Sequence, residues 1–112
     1  MNFFSSSFAA IFVAVASTAI ASDDWYSGGS LHRATVGQWK MASYSNKLAT
    51  AADWAITRPF VENQVRKKGS MDALKPFATQ MMNCVDQAAD GEGYSNTKVS
   101  ELAAACALLM GW

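Results

Sequence analysis

The residues of this 112-residue chain that could carry out chemistry are few and lie far apart. Its one histidine is His32, and a catalytic or metal-binding histidine needs partner side chains held close to it. No cysteine lies near His32, and no serine stands in a Gly-x-Ser-x-Gly motif. Asp53, Glu62 and Asp86 are isolated acids of the kind that helices keep solvated or paired. The sequence therefore predicts no catalytic residue and no enzyme activity.

The acids that begin at residue 90 resemble a calcium-binding loop only in part. Asp90, Glu92, Asn96 and Glu101 fall at positions 1, 3, 7 and 12 of such a loop. An EF-hand needs glycine at position 6, where this chain has Ser95. We therefore predict no metal site, and no motif indicates a cofactor.

Residues 1–21 have the pattern of a cleaved secretory signal peptide. The apolar run at 8–16 is too short to span a bilayer, and Ala19-Ile20-Ala21 supplies the small residues that signal peptidase requires before Ser22. No Lys or Arg precedes the apolar run, so the alternative is an uncleaved anchor over residues 3–21. Cleavage predicts an exported protein.

Cys84 and Cys106 are the only cysteines, and both follow the predicted signal peptide. An oxidising compartment favours a disulfide between them, worth about 3 kcal/mol for a loop of this length. The alternative is two free buried thiols that act as small apolar side chains. The formal net charge is zero, so composition does not indicate nucleic-acid binding.

Helical periodicity dominates the remaining chain, and we predict a flexible leader over 22–34 followed by a helical domain over 35–112. Thr35 and Gln38 form a capping box for a first helix over 35–57, which should bury Met41 and Tyr44. Pro59 should begin a second helix, and Gly69 should end it near residue 68.

The C-terminal half predicts two more helices. Ser70 should cap the third, in which Pro76 either kinks the helix or marks its true start. The fourth should run from 96 or 97 to about 110 and bury Leu109. No alternating β-branched run is present. The sequence therefore predicts an all-α bundle of about four helices, in which an antiparallel hairpin brings the cysteines together.

Tryptophans and methionines are the remaining candidates for a functional surface. Trp39 and Trp54 lie off the apolar stripe of the first helix, and Met81 and Met82 lie in the third. Aromatic and Met side chains fill cores, but they also line protein-binding surfaces. These four residues are the candidate partner-binding residues.

The layout resembles the small periplasmic helical proteins of the HdeA-like acid-stress chaperone family and of the type VI secretion immunity kind. The resemblance spans residues 35–109 and rests on a helix that opens at Trp39, on the segment 81–85 around Cys84, and on the amphipathic segment 98–102. It implies a periplasmic protein. In those chaperones a cysteine in the first helix pairs with the later one, whereas here the partner would be Cys106.

Together these patterns predict an exported, non-enzymatic helical protein that binds another protein as a chaperone, inhibitor or immunity factor. The resemblance favours the periplasm over full secretion. Membrane association is expected only if the signal peptide is retained as an anchor, or if the apolar residues 103–112 enter lipid.

Overall fold

Helices account for all the regular secondary structure in residues 24–91, 93 and 95–112, which the computed structural model describes. The five α-helices are α1 (Val36–Lys40), α2 (Tyr44–Ile56), α3 (Pro59–Lys68), α4 (Lys75–Ala89) and α5 (Val99–Leu109), with a 3₁₀ helix (Met71–Leu74) directly before α4. The predicted all-α fold is confirmed. The predicted signal peptide, 1–21, lies outside the described residues.

The predicted first helix is in fact two helices. The Thr35–Gln38 capping box forms as predicted, but α1 ends at Lys40. The Ser43 hydroxyl then accepts a hydrogen bond from the Asn46 amide and begins α2 as a new N-cap. Because the helix axis breaks here, one apolar stripe does not continue across residues 35–57.

Two side chains that we expected to be buried are exposed because of this break. Met41 is 90% exposed and Tyr44 is 63% exposed, whereas Trp39 is completely buried. A similar correction applies near the C-terminus, where Leu109 is 82% exposed because it lies in the last turn of α5, on the side away from the core.

Proline and glycine mark the helix ends in the middle of the chain as predicted. Pro59 is the first residue of α3, and Gly69 ends that helix in the left-handed conformation, with φ of 70°. Ser70 caps the 3₁₀ helix, and Pro76 lies in the first turn of α4. Pro76 therefore marks the start of α4 and does not kink it.

Helix α4 forms the centre of the fold, because it packs against both α2 and α5. Its apolar face buries Ala78, Met81, Met82, Val85 and Ala89. The predicted disulfide joins Cys84 of α4 to Cys106 of α5, with a Cα–Cα distance of 6.0 Å. The disulfide therefore holds together the last two helices.

Residues 24–34, the described part of the predicted leader, pack onto α2. The Ser30 amide donates to Asn46 Oδ1, and the Leu31 amide donates to the hydroxyl of the buried Thr50. A Cβ added at Gly29 would lie 2.5 Å from the Thr50 backbone nitrogen, so only glycine allows this close approach. This segment is part of the domain and not a detached linker.

Candidate functional site

Trp39 lies at the centre of a polar and aromatic cluster inside the bundle. Its indole N–H donates to Asp86 Oδ1 at 2.8 Å, and Lys47 Nζ donates to the same oxygen at 3.2 Å. The Trp39 ring stacks on Trp54, with centroids 5.6 Å apart and an interplanar angle of 24°. Because its polar atom has a partner and its faces are covered, Trp39 serves packing.

Three of the four candidate partner-binding residues are buried in this fold. The exposed fractions are 0% for Trp39, 1% for Met81 and 3% for Met82. Their side chains could meet a partner only if the helices separated. Trp54 alone is partly exposed. Trp39 is buried against α4, where Asp86 accepts its indole N–H, and Met81 and Met82 lie on the buried face of α4 itself.

The structure brings together His32 and Asp53, two titratable residues that the sequence treats as isolated. His32 Nε2 lies 2.8 Å from Asp53 Oδ2, and each side chain is nearly half exposed. Throughout the described chain, no hydrogen bond joins His32 to a serine, threonine or cysteine. The pair therefore ties residues 24–34 to α2. Since its members lie 21 residues apart, no local pattern predicts it.

Neither a metal cluster nor a spanning helix is found among the residues that the structure describes. There, no group of three or more His, Cys, Asp or Glu side chains lies close enough to hold a metal ion. No described helix has both the length and the apolar character needed to cross a membrane.

The end of α5 positions the last aromatic residue of the chain. Gly111 adopts the left-handed conformation, the Gly111 amide donates to Leu108, and the Trp112 amide donates to Ala107. These two bonds form a Schellman motif, which folds the chain back over the end of the helix. Arg58 Nη2 donates to the Trp112 carbonyl at 3.0 Å and fixes Trp112 near the start of α3.

Trp112 completes a row of aromatic rings at the end of the bundle where α3 and α4 begin. Its centroid lies 5.6 Å from that of Phe77, which lies 6.1 Å from that of Phe60, and both contacts are edge-to-face. We call Phe60, Phe77 and Trp112 the end patch. Phe60 is 49% exposed, while Phe77 and Trp112 are partly exposed.

Two more apolar side chains are exposed at this end of the bundle. Leu108 and Leu109 lie in the last turn of α5, four and three residues before Trp112, and are 76% and 82% exposed. The sequence prediction placed both residues in the apolar segment 103–112 but did not name them as candidate partner-binding residues. For Phe60, the periodicity of α3 offered a signal of exposure. Val61 and Val65 are the buried positions of that helix, so Phe60 lies off its core face.

Two grooves flank these residues. The first, between α2 and α5, has a volume of about 180 Å³ and is lined by Trp54, Thr57, Arg58, Met81, Ser100, Ala103, Ala104 and Ala107. The second, between α3 and the start of α4, has a volume of about 590 Å³ and is lined by Gln64, Lys68, Ser70, Asp72, Ala73, Pro76 and Phe77. Phe77 belongs to both the second groove and the end patch, so these two features are continuous.

The fold and this surface define a small, disulfide-linked, all-α protein with an exposed apolar end. Comparison of the chain with protein-family models, with curated proteins and with solved structures found no match.

Proposed function

We propose that this chain is an exported, non-enzymatic helical protein that binds other proteins, in the manner of a chaperone, an inhibitor or an immunity factor. The observation that carries the proposal is the apolar end of the bundle. Phe60 is exposed there and meets the partly exposed ring of Phe77, which in turn meets Trp112. Leu108 and Leu109 are exposed in the last turn of α5, just before Trp112 in the chain.

The clustering of these side chains is more informative than their number. Single exposed apolar residues are normal on a protein surface, but contiguous apolar patches with polar rims are typical of interaction sites. Aromatic anchors dominate the binding energy of protein interfaces because they bury a large area with little loss of side-chain entropy. The end patch supplies three such rings, Phe60 on α3, Phe77 on α4 and Trp112 just after the end of α5.

Export to an oxidising compartment is supported by two independent features. The Cys84–Cys106 disulfide is a bond that persists in such compartments. The apolar run at 8–16 and the small residues before Ser22 fit a signal peptide. The resemblance to HdeA-like chaperones and type VI immunity proteins leads us to propose the periplasm.

Photo-crosslinking in living cells tests the proposal. A benzophenone amino acid replaces Phe60 in one variant and Tyr44 in another. Both positions carry exposed aromatic rings, but Tyr44 is the first residue of α2 while Phe60 is the second residue of α3. We expect irradiation to produce adducts of defined higher mass at position 60, and few at position 44.

The two positions separate the outcomes. Adducts at position 44 alone would move the partner surface to the α1–α2 junction, where Met41 is also exposed. The absence of protein adducts at both positions would contradict a protein-binding function.

The alternative is a membrane-associated protein that retains residues 1–21 as an anchor. It is favoured by the apolar run at 8–16, which no Lys or Arg precedes. The mass of the non-reduced protein distinguishes the two. A chain that begins at Ser22 and resists thiol alkylation supports export with cleavage, whereas an intact N-terminus supports the anchor.

A further inference from the structure

The groove between α3 and the start of α4 is lined by both apolar and charged residues. Ala73, Pro76 and Phe77 supply the apolar part, and Lys68 and Asp72 supply the charges. Its volume of about 590 Å³ exceeds that of the groove between α2 and α5. The groove is an open concavity on the surface of the bundle.

Charge is distributed unevenly around this groove. Residues 57–77, which form α3, the 3₁₀ helix and the start of α4, contain five of the nine basic residues and two of the nine acidic ones. This segment therefore carries a net charge of +3, and the remaining chain carries −3. Although the net charge of the whole chain is zero, this positive segment includes the residues of the groove and two residues of the end patch, Phe60 and Phe77.

Contacts within the domain leave two of these positive charges available. Arg66 is paired with Glu62 at 2.7 Å, and Lys75 Nζ lies 5.6 Å from the centre of the Trp25 ring. Within the described residues, no salt bridge engages Lys67 or Lys68, and both are exposed. Lys68 lines the groove, and Lys67 lies beside it in the last turn of α3.

We propose that this groove binds an acidic segment of a partner protein, which inserts an apolar side chain against Phe77 and Pro76 and places carboxylates next to Lys67 and Lys68. The inference rests on the proposed protein-binding function and names the site and the chemistry of the partner. Complementary charge at the rim favours encounter and orientation, while the apolar anchor supplies most of the affinity.

The shape of the site favours a protein segment over a lipid surface. A peripheral membrane protein inserts a protruding apolar face into lipid and surrounds it with cations. Here the apolar residues line a concavity, and the acidic residue Asp72 lines it with them. A peptide can fill a concavity and avoid one acidic group, whereas a negatively charged membrane surface does neither.

Selection from a random 12-residue peptide library, displayed on phage, tests this inference with the purified disulfide-bonded protein. We expect the enriched peptides to combine Asp or Glu with Leu, Phe or Trp. For a synthetic peptide of the enriched sequence, Lys68→Glu should raise the Kd, measured by fluorescence anisotropy, by roughly tenfold.

Lys98→Glu is the matched control. Lys98 is exposed and lies just before α5, at the opposite end of that helix from Trp112. Its replacement by Glu changes the net charge by the same amount as Lys68→Glu. We expect less than a twofold change in Kd, about 0.4 kcal/mol. Circular dichroism of both variants should show unchanged helix content, because neither side chain is buried.

Several results would overturn the inference. They are a lack of enrichment over the empty support, enrichment of neutral or basic peptides, and equal weakening by the two substitutions. Two further results would overturn it if no peptide binds. They are binding to phosphatidylglycerol vesicles that Lys68→Glu abolishes, and self-association of the protein that Lys68→Glu abolishes. Adducts at position 60 that persist in Lys68→Glu would refute this site but leave the proposed function intact.

Discussion

Two aromatic clusters of this molecule differ in what surrounds them. Trp39 is fully buried, stacks on Trp54 and donates its indole N–H to Asp86. The end patch of Phe60, Phe77 and Trp112 also forms ring contacts, but about half of the Phe60 surface remains exposed. The first cluster is complete within the domain, whereas the second leaves apolar surface uncovered.

The comparison shows why aromatic content alone does not identify a functional surface. A buried ring with a satisfied polar atom has no binding capacity left, so its contribution is to stability. A partly exposed ring on a rigid helix contributes little to stability and keeps its area for a partner. Variants at the Trp39 cluster should therefore lose mainly stability, whereas variants at the end patch should lose mainly partner binding.

Trp39→Ala should produce the largest loss of stability. Removal of a large buried side chain leaves a cavity, and we expect the free energy of unfolding to fall by about 3–5 kcal/mol. Urea unfolding followed by circular dichroism measures this change. Trp112→Ala, at the end patch, is the control, and an equal loss there would break the distinction between the clusters.

Loss of the Cys84–Cys106 disulfide should come next. The bond closes a loop between residues 22 positions apart, and we expect its removal to cost about 3 kcal/mol by the loop-entropy argument. Thermal unfolding with and without a reductant measures the effect. The control is the double variant Cys84→Ala and Cys106→Ala, whose Tm should be the same with and without reductant. An unchanged Tm after reduction of the native protein would refute the prediction.

Gly29→Ala should have an intermediate effect, because the new Cβ would clash with the α2 backbone at Thr50. We expect a loss of about 1–3 kcal/mol, the usual range for overpacking. Hydrogen exchange should show faster exchange at the Leu31 amide, which bonds to the Thr50 hydroxyl. Ser27→Ala, at an exposed position, should change neither quantity, and a similar response from both variants would argue against close packing of this segment.

Leu108→Ser should have the smallest effect on stability and a large effect on binding. The side chain is 76% exposed, so we expect the free energy of unfolding to change by less than about 0.5 kcal/mol. Adducts from the crosslinker at position 60 should decrease in the same variant. A strongly destabilised Leu108→Ser protein would show that Leu108 belongs to the core and would weaken the case for an apolar interaction end.

Much of the helical architecture followed from local signals. The capping box at Thr35, the proline at 59 and the glycine at 69 each specify a helix end through hydrogen bonds or backbone dihedrals within a few residues. The break at Ser43 was missed because Ser43 is compatible with a helix interior as well as with a cap. That one error reversed the exposure predicted for Met41 and Tyr44.

The candidate site was harder to predict because it depends on contacts between distant residues. Trp39 and Asp86 are 47 residues apart, and Arg58 and Trp112 are 54 residues apart. Helical periodicity connects residues three or four positions apart, so it predicts neither of these contacts. The basic run Arg66-Lys67-Lys68 is visible in the sequence, but its position beside a groove is not.

Local chemistry in the sequence was therefore sufficient to specify the fold class, most helix ends and the pairing of the two cysteines, because these depend on nearby residues or on a single hairpin. Tertiary packing alone decided which tryptophan is buried, which charges remain unpaired and which rings stay exposed. Those properties depend on how α2, α3, α4 and α5 cover one another, and burial is a property of the assembled helices and not of any one of them.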